Sequence, residues 1–263
     1  MISINNYLQN LANQLFISYN STERTKINKS IAAIKYRLNN YFDDRINDII
    51  IFGSYSRGTI LPRQFDQNSD IDIMVEFNID NYETKTPETY RNNLKTFVDC
   101  KYPKSISSKD LPSIVLELQN IKFDLVPAIV TKPWFTEKVY IPNSGNNWQE
   151  TDPIGFNTDL TNANQNFKNI VKPIIRLMKY WNSTNGYPYD SFDLEQIIAS
   201  MNFAGDNTQT GLLYAIDNLP TNYRSSKLKG KVEVLRNHKD WLVEYLERDD
   251  SVKAKERIHK ILP

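Results

Sequence analysis

The sequence predicts an α+β protein, with strands gathered in the first half and a mostly helical second lobe. Three observations carry this. Ile49-Ile50-Ile51-Phe52 is an apolar, β-branched run too short for a helix, and it reads as a buried strand. Asp70 to Phe77, DIDIMVEF, alternates: as a strand it places Asp70 and Asp72 on one face and Ile71, Ile73, Val75 and Phe77 on the other. Apolar residues recur at helical spacing both before and after these strands.

Residues 1–45 read as helices. Ile4, Leu8, Leu11 and Leu15 form one stripe, and Ile27, Ile31, Ile34 and Leu38 form a second. Asn20-Ser21-Thr22-Glu23 between them supplies N-cap residues. After the two strands, a helix is expected near Thr86 to Tyr102, opened by Pro87 in its first turn. Ser113–Leu118 and Ile121–Val126, separated by Gln119-Asn120, read as a β-hairpin. Residues 130–165 read as a loop-rich crossover, with a small hairpin around Asn143-Ser144-Gly145. Phe167, Ile170, Ile174, Leu177, Met178 and Trp181 form a helical stripe, interrupted or kinked at Pro173. A further helix begins near Asp193, and the remainder reads as helices over Gly211–Leu219 and Lys227–Leu246 with a charged tail from Glu247.

The chain has 263 residues, enough for one large domain or two intimate lobes. Apolar residues make up 40% and charged residues 24%, the composition of a soluble globular protein. The net charge is +1, so there is no overall basic field, which argues against a long nucleic-acid substrate. The single cysteine, Cys100, excludes an internal disulfide and reads as a small buried or half-buried hydrophobe. His238 and His259 are the only histidines, so any metal is expected to be a hard cation on oxygen ligands. No signal peptide or membrane-length apolar run is seen, and a cytoplasmic protein is expected.

The chemistry concentrates in Ile49–Phe77. The first strand ends at Gly53-Ser54, where backbone can approach a ligand closely and N–H groups and a hydroxyl can face a phosphate. Asp70 and Asp72 on one strand face repel each other unless a cation lies between them. Either feature alone is common, as a turn or a solvated face; their succession is the signal. Arg57, in the same stretch, either neutralises phosphate or buttresses the loop. Further on, Asp124 sits inside an apolar strand, on the same side as Lys122 and Val126, where burial without a partner is costly.

The string GSYSRGT…SDIDIMV resembles the G-S…D-x-D signature of the DNA polymerase β-like nucleotidyltransferase superfamily. More narrowly, it resembles the branch holding the bacterial cGAS/DncV-like nucleotidyltransferases (CD-NTases), oligoadenylate synthetases and archaeal CCA-adding enzymes. Phe123-Asp124-Leu125-Val126-Pro127-Ala128 is similar to that family's third-carboxylate motif, D-x-V-P-A. Lys179-Tyr180-Trp181-Asn182, then Ser191-Phe192 and Leu194-Glu195, resembles its K-x-W-N…S-Y-x-L-E element, with Phe192 where tyrosine is usual.

The resemblance implies a polymerase β-like core with a mixed sheet, packed on a helical C-terminal lobe. Residues 1–160 would form the catalytic lobe, and residues 161–263 a helical lobe completing the nucleotide cleft. Asp70, Asp72 and Asp124 would be the catalytic carboxylates, holding a pair of Mg²⁺ (or Mn²⁺) ions. Gly53, Ser54, Arg57, Lys179, Ser191 and Phe192 would bind nucleotide, Phe192 by stacking on a base. The implied reaction joins NTPs into a cyclic oligonucleotide second messenger with release of pyrophosphate, as in bacterial anti-phage signalling. The alternatives are a linear oligoadenylate synthetase or RNA-tailing enzyme, and a catalytically silent nucleotide-binding protein. The expected partners are NTPs and a regulatory or effector protein, with no membrane and no long nucleic acid; the expected state is a monomer.

Overall fold

The computed structural model describes residues 3–79, 85–110, 112–119, 121–132, 136–143, 146–222 and 224–263. By packing, the chain divides into two interleaved units, where the sequence suggested one cut near residue 160. The sheet unit comprises Ile17–Arg57 and Asn68–Asn157; the helical unit comprises Met1–Phe16, Gly58–Gln67 and Thr158–Pro263.

In the sheet unit, helix α2 (Thr22–Phe42) starts at Ser21, whose hydroxyl accepts from the Arg24 N–H. Ile27, Ile31, Ile34, Leu38 and Phe42 make its buried stripe. A short 3-10 turn leads into strand β1 (Ile46–Phe52), and helix α3 (Gly53–Arg57) follows without a loop. Strand β2 (Asp70–Phe77) pairs antiparallel with β1. Helix α4 (Pro87–Lys101) has Thr86 as its N-cap and Pro87 in its first turn, as expected. Strands β3 (Ile106–Asp110), β4 (Ser113–Glu117) and β5 (Lys122–Thr131) complete the sheet. Its order is β1-β2-β5-β4-β3, and the β2–β5 pair is parallel while its neighbours are antiparallel. This is the expected mixed sheet. Strands β6 (Lys138–Pro142) and β7 (Trp148–Thr151) extend β5 as a hairpin; Ser144 and Gly145 of its expected turn lie outside the described residues, as does Asn120 of the β4–β5 turn. Phe42, Phe77, Tyr90 and Phe97 form an aromatic layer joining α2, β2 and α4.

Several elements escaped the sequence. β3 is polar and lacks an apolar face. Helix α5 (Pro153–Asn166) occupies the stretch read as loop, with Leu160 its one buried residue. Cys100 on α4 is exposed, not half-buried.

In the helical unit, α1 (Ile4–Gln14) packs its Leu8–Leu11–Ala12 face against α6 (Val171–Thr184) and α8 (Thr208–Asp217). Of the interruption or kink expected at Pro173, the structure shows an interruption just before it, because α6 begins only at Val171. Lys168 and Asn169, at φ 53° and 62°, separate it from Phe167. Pro173 then falls in the first turn, where its missing N–H leaves no intrahelical bond unmade. Helix α7 (Ser191–Ala199) follows, capped by the Asp190 carboxylate, which accepts from the Phe192 and Asp193 N–H groups. Helix α9 (Ser226–Glu247) packs on α10 (Ser251–Ile261). The stretch read as a charged tail is therefore a helix, burying Ala254, Ile258 and Ile261 on one face. Among the described residues no helix is long and apolar enough to cross a membrane.

Candidate active site

The parallel register of β2 and β5 places the carboxylates. It sets Asp72 beside Asp124 and Asp70 beside Lys122, all on one sheet face. Asp70 and Asp72 are half-buried, while Ile71 and Ile73 beneath them are fully buried. The Lys122 ammonium lies 3.1 Å from Asp70 Oδ2 and 3.9 Å from Asp124 Oδ1. Ser113 at the start of β4 donates its hydroxyl to Asp124 Oδ2 at 3.1 Å. Asp124 Oδ1 is buried, with no hydrogen-bond donor among the described residues.

The electrostatics follow from this crowding. Burial, and then the Asp70 charge, push the Asp124 carboxyl up from 3.8 to about 6; Lys122 and Ser113 offset this only in part. Burial alone would lower the Lys122 ammonium, but Asp124 and Asp70 outweigh it and hold the pKa above the ordinary lysine value.

The Gly53 turn abuts Asp72. Gly53 has φ +69°, and a Cβ added there would sit 1.8 Å from Asp72 Oδ2, so the carboxylate occupies the space a side chain would need. In α3, Ser54 is half-buried and the Ser56 hydroxyl donates to the Gly53 carbonyl at 2.9 Å. Tyr55 is buried and donates to Asn28 Oδ1 at 2.7 Å. Arg57 points inward: it is 7% exposed, its guanidinium lies 5.2 Å from the Phe156 ring centre, and Nη1 donates to Asn157 Oδ1 at 3.5 Å. Of the two roles considered for Arg57, these surroundings favour the loop buttress.

In the helical unit, Lys179 and Glu195 form a buried ion pair at 2.9 Å, with side chains 7% and 1% exposed. The Thr59 hydroxyl donates to the same Glu195 oxygen at 2.8 Å. Lys179 thus ties α6 to α7, and its ammonium is engaged inside the fold. Ser191 opens α7 and is half-buried, whereas Phe192 beside it is 44% exposed. Arg176, which the sequence did not single out for a role, is buried against backbone. Its Nε donates to the Ala12 carbonyl and its Nη1 to the Gly58 carbonyl, each at 3.0 Å, and burial lowers its pKa to about 10. Lys122 and Ser113 were also missed as site residues. Lys122 shares a face with Asp124 by simple alternation, but its contact with Asp70 requires the β2–β5 register.

The donor set suits a hard divalent cation: carboxylate oxygens alone, one of them the orphaned Asp124 Oδ1, and no imidazole or thiolate. Among the described residues, no three acidic, His or Cys side chains are already gathered around one point as a metal would gather them. Asp72 rests against Gly53, and Lys122 supplies the counter-charge to Asp70.

The fold is that of the CD-NTases. Bradyrhizobium diazoefficiens CdnG, solved with GTP, superposes with a TM-score of 0.72 at 11% identity, covering 99% of this chain and 97% of that one. Escherichia coli MS115-1 CdnC, solved with ATP, gives 0.67 at 14% identity, over 97% of this chain and 94% of that one. Vibrio cholerae DncV, a cyclic AMP-GMP synthase solved with a linear intermediate, gives 0.63 at 13% identity, over 100% and 81%. In sequence, a probable cyclic nucleotide synthase of Bacillus cereus (strain VD146) is 34% identical over 102 residues, 37% of this chain. That stretch spans 31% of the relative's length. The family described as Second Messenger Oligonucleotide or Dinucleotide Synthetase domain matches residues 2–164, which include the Gly53 turn and all three carboxylates. The match takes in more than half of the chain, and the chain belongs to that family.

Proposed function

We propose that the protein is a metal-dependent nucleotidyltransferase that joins NTPs into a cyclic oligonucleotide second messenger and releases pyrophosphate. The observation that carries this reading is the β2–β5 register, which brings Asp124 beside Asp72 on the sheet face bordered by the Gly53 turn. Asp70, Asp72 and Asp124 would hold Mg²⁺ or Mn²⁺, which neutralises phosphate charge and lowers the pKa of a bound hydroxyl. Asp124, desolvated and with its carboxyl raised to about 6, is suited to accept the proton of the attacking ribose hydroxyl. Gly53 and Ser54 offer backbone N–H groups and a hydroxyl to the β- and γ-phosphates. Ser191 contacts the donor triphosphate and Phe192 stacks on a base. Lys179 we assign to holding α6 and α7 together through Glu195, since reaching phosphate would mean leaving a buried partner.

GTP and ATP in the similar structures make purine NTPs the first substrates to try, and NTP chemistry suits the cytoplasm. CdnC has also been solved in complex with a HORMA protein, so an activating protein is the class of partner proposed here. The role in anti-phage signalling belongs to this same reading. The test is to incubate the protein with each NTP and with pairs of NTPs, with Mg²⁺ or Mn²⁺, and to identify products by mass spectrometry. A cyclic product with stoichiometric pyrophosphate is expected. Linear products alone would replace the cyclase by an oligoadenylate synthetase-like enzyme, and unchanged NTPs under all conditions would overturn the reading.

A further inference from the structure

The cation already present among the carboxylates is Lys122. Its ammonium lies 3.1 Å from Asp70 and 3.9 Å from Asp124, and its side chain is 25% exposed. The register fixes this: Lys122 lies two residues before Asp124 on β5, hence on the same face, and directly beside Asp70 on β2. A lysine at the end of a flexible four-carbon stem can swing toward solvent, whereas the aspartates sit on short stems in a rigid sheet.

We propose that Lys122 is a placeholder for the divalent cation. It serves as a tethered counter-charge to Asp70 and Asp124, and the incoming ion must displace it. The inference rests on the metal-assisted reading above. Two physical effects act in one direction. An ion seated between Asp70 and Asp124 must break the ammonium–carboxylate contacts, and a displaced ammonium still nearby repels it. Lys122 therefore weakens cation binding while relieving the like-charge repulsion between the acids. The cation would then bind firmly only when NTP phosphates add their own negative charge, which couples metal occupancy to the presence of substrate.

The test is Mn²⁺ binding without nucleotide, followed by electron paramagnetic resonance of free Mn²⁺, on the full chain. Lys122→Met should bind Mn²⁺ about three- to tenfold more tightly than the parent, the range for a partly screened charge-assisted contact. Lys122→Arg keeps the charge and should stay near the parent, and Asp70→Asn should lose the tight component. Equal or weaker Mn²⁺ binding by a folded Lys122→Met would overturn the role of Lys122 and leave the metal-assisted reading standing. Absence of Mn²⁺ binding in the parent and in Lys122→Met alike, with NTP present as well as without it, would overturn both. If Lys122→Met does not fold, Lys122→Gln replaces it, and a crystal structure of the unsubstituted chain with Mn²⁺ gives an independent answer. The ammonium should be out of hydrogen-bond reach of both carboxylates, and an ammonium still on Asp70 beside a bound ion would refute the proposal.

Discussion

Asp124→Asn should make the metal-free protein more stable while abolishing turnover. The Asp124 carboxyl titrates at about 6 in the fold against 3.8 for the free group, raised by burial and by Asp70. At about 1.4 kcal/mol per tenfold change in proton affinity, that difference is worth about 3 kcal/mol, an upper bound because Lys122 relaxes in the variant. Below pH 3.8 both folded and unfolded chains are protonated at this residue, and no penalty is felt. Between there and about pH 6 the unfolded carboxyl ionises while the folded one keeps its proton. The folded state then binds more protons, so this contribution to stability falls as pH rises. Above that range the buried charge must be carried and the whole penalty is present. Asparagine has no such titration. The stability gap between variant and parent should be near zero at about pH 4 and grow toward about 3 kcal/mol by about pH 7.5. Urea unfolding in EDTA across this range measures the gap, and NTP turnover measures the other half. A variant no more stable than the parent at about pH 7.5 would refute the electrostatic reasoning, and retained turnover would refute the catalytic assignment.

Other substitutions test the neighbouring parts. Asp70→Asn and Asp72→Asn should each abolish turnover and Mn²⁺ binding with circular dichroism unchanged, since each removes a charged oxygen ligand but no buried apolar contact. Gly53→Ala should also abolish turnover although every carboxylate remains, because its Cβ would meet Asp72 Oδ2 at 1.8 Å and its φ of +69° disfavours a side chain. A crystal structure with Asp72 undisplaced, or normal kinetics, would contradict this. Glu195→Ala should cost about 3–5 kcal/mol by urea unfolding, because it leaves the Lys179 ammonium buried without its counter-charge. A loss below about 1 kcal/mol would show that the pair is open to water.

The parts of the site legible in the sequence are those set by local rules. The alternation of Asp70 and Asp72 and the glycine turn after β1 follow from strand period and backbone freedom, and both are where the sequence put them. Pairings between segments were not legible. For Arg57 the sequence left phosphate neutralisation and loop buttress equally open, because Phe156 and Asn157, which cover it, come from far along the chain. Lys179 reads as a free cation until Glu195 and Thr59 are brought to it, the latter pair 136 residues apart. β3 and α5 lack the apolar periodicity that announces an element, since tertiary pairing forms β3 and only Leu160 anchors α5. α10 is different: Ala254, Ile258 and Ile261 have helical spacing, and the surrounding charges obscured a pattern that was there to read.

The same physics explains why the site is expensive to the fold and why it carries its own cation. On the metal-assisted reading proposed above, a sheet face that must hold three carboxylates for a divalent ion is under like-charge strain whenever that ion is absent. The strain is visible in Asp124, whose carboxyl remains raised even with Lys122 and Ser113 beside it. A permanent, well-buried counter-charge such as Arg176 or Lys179 would relieve the strain completely but would also exclude the metal. A metal site with no counter-charge would leave the whole of that strain on the fold. On the proposal above, a partly exposed lysine on a flexible stem satisfies both demands, because it lies near Asp70 and Asp124 and would give way to a doubly charged ion. On this account arginine at position 122 should slow the metal's entry without raising Asp124 further. An apolar residue there should admit the metal readily and push the Asp124 carboxyl higher still.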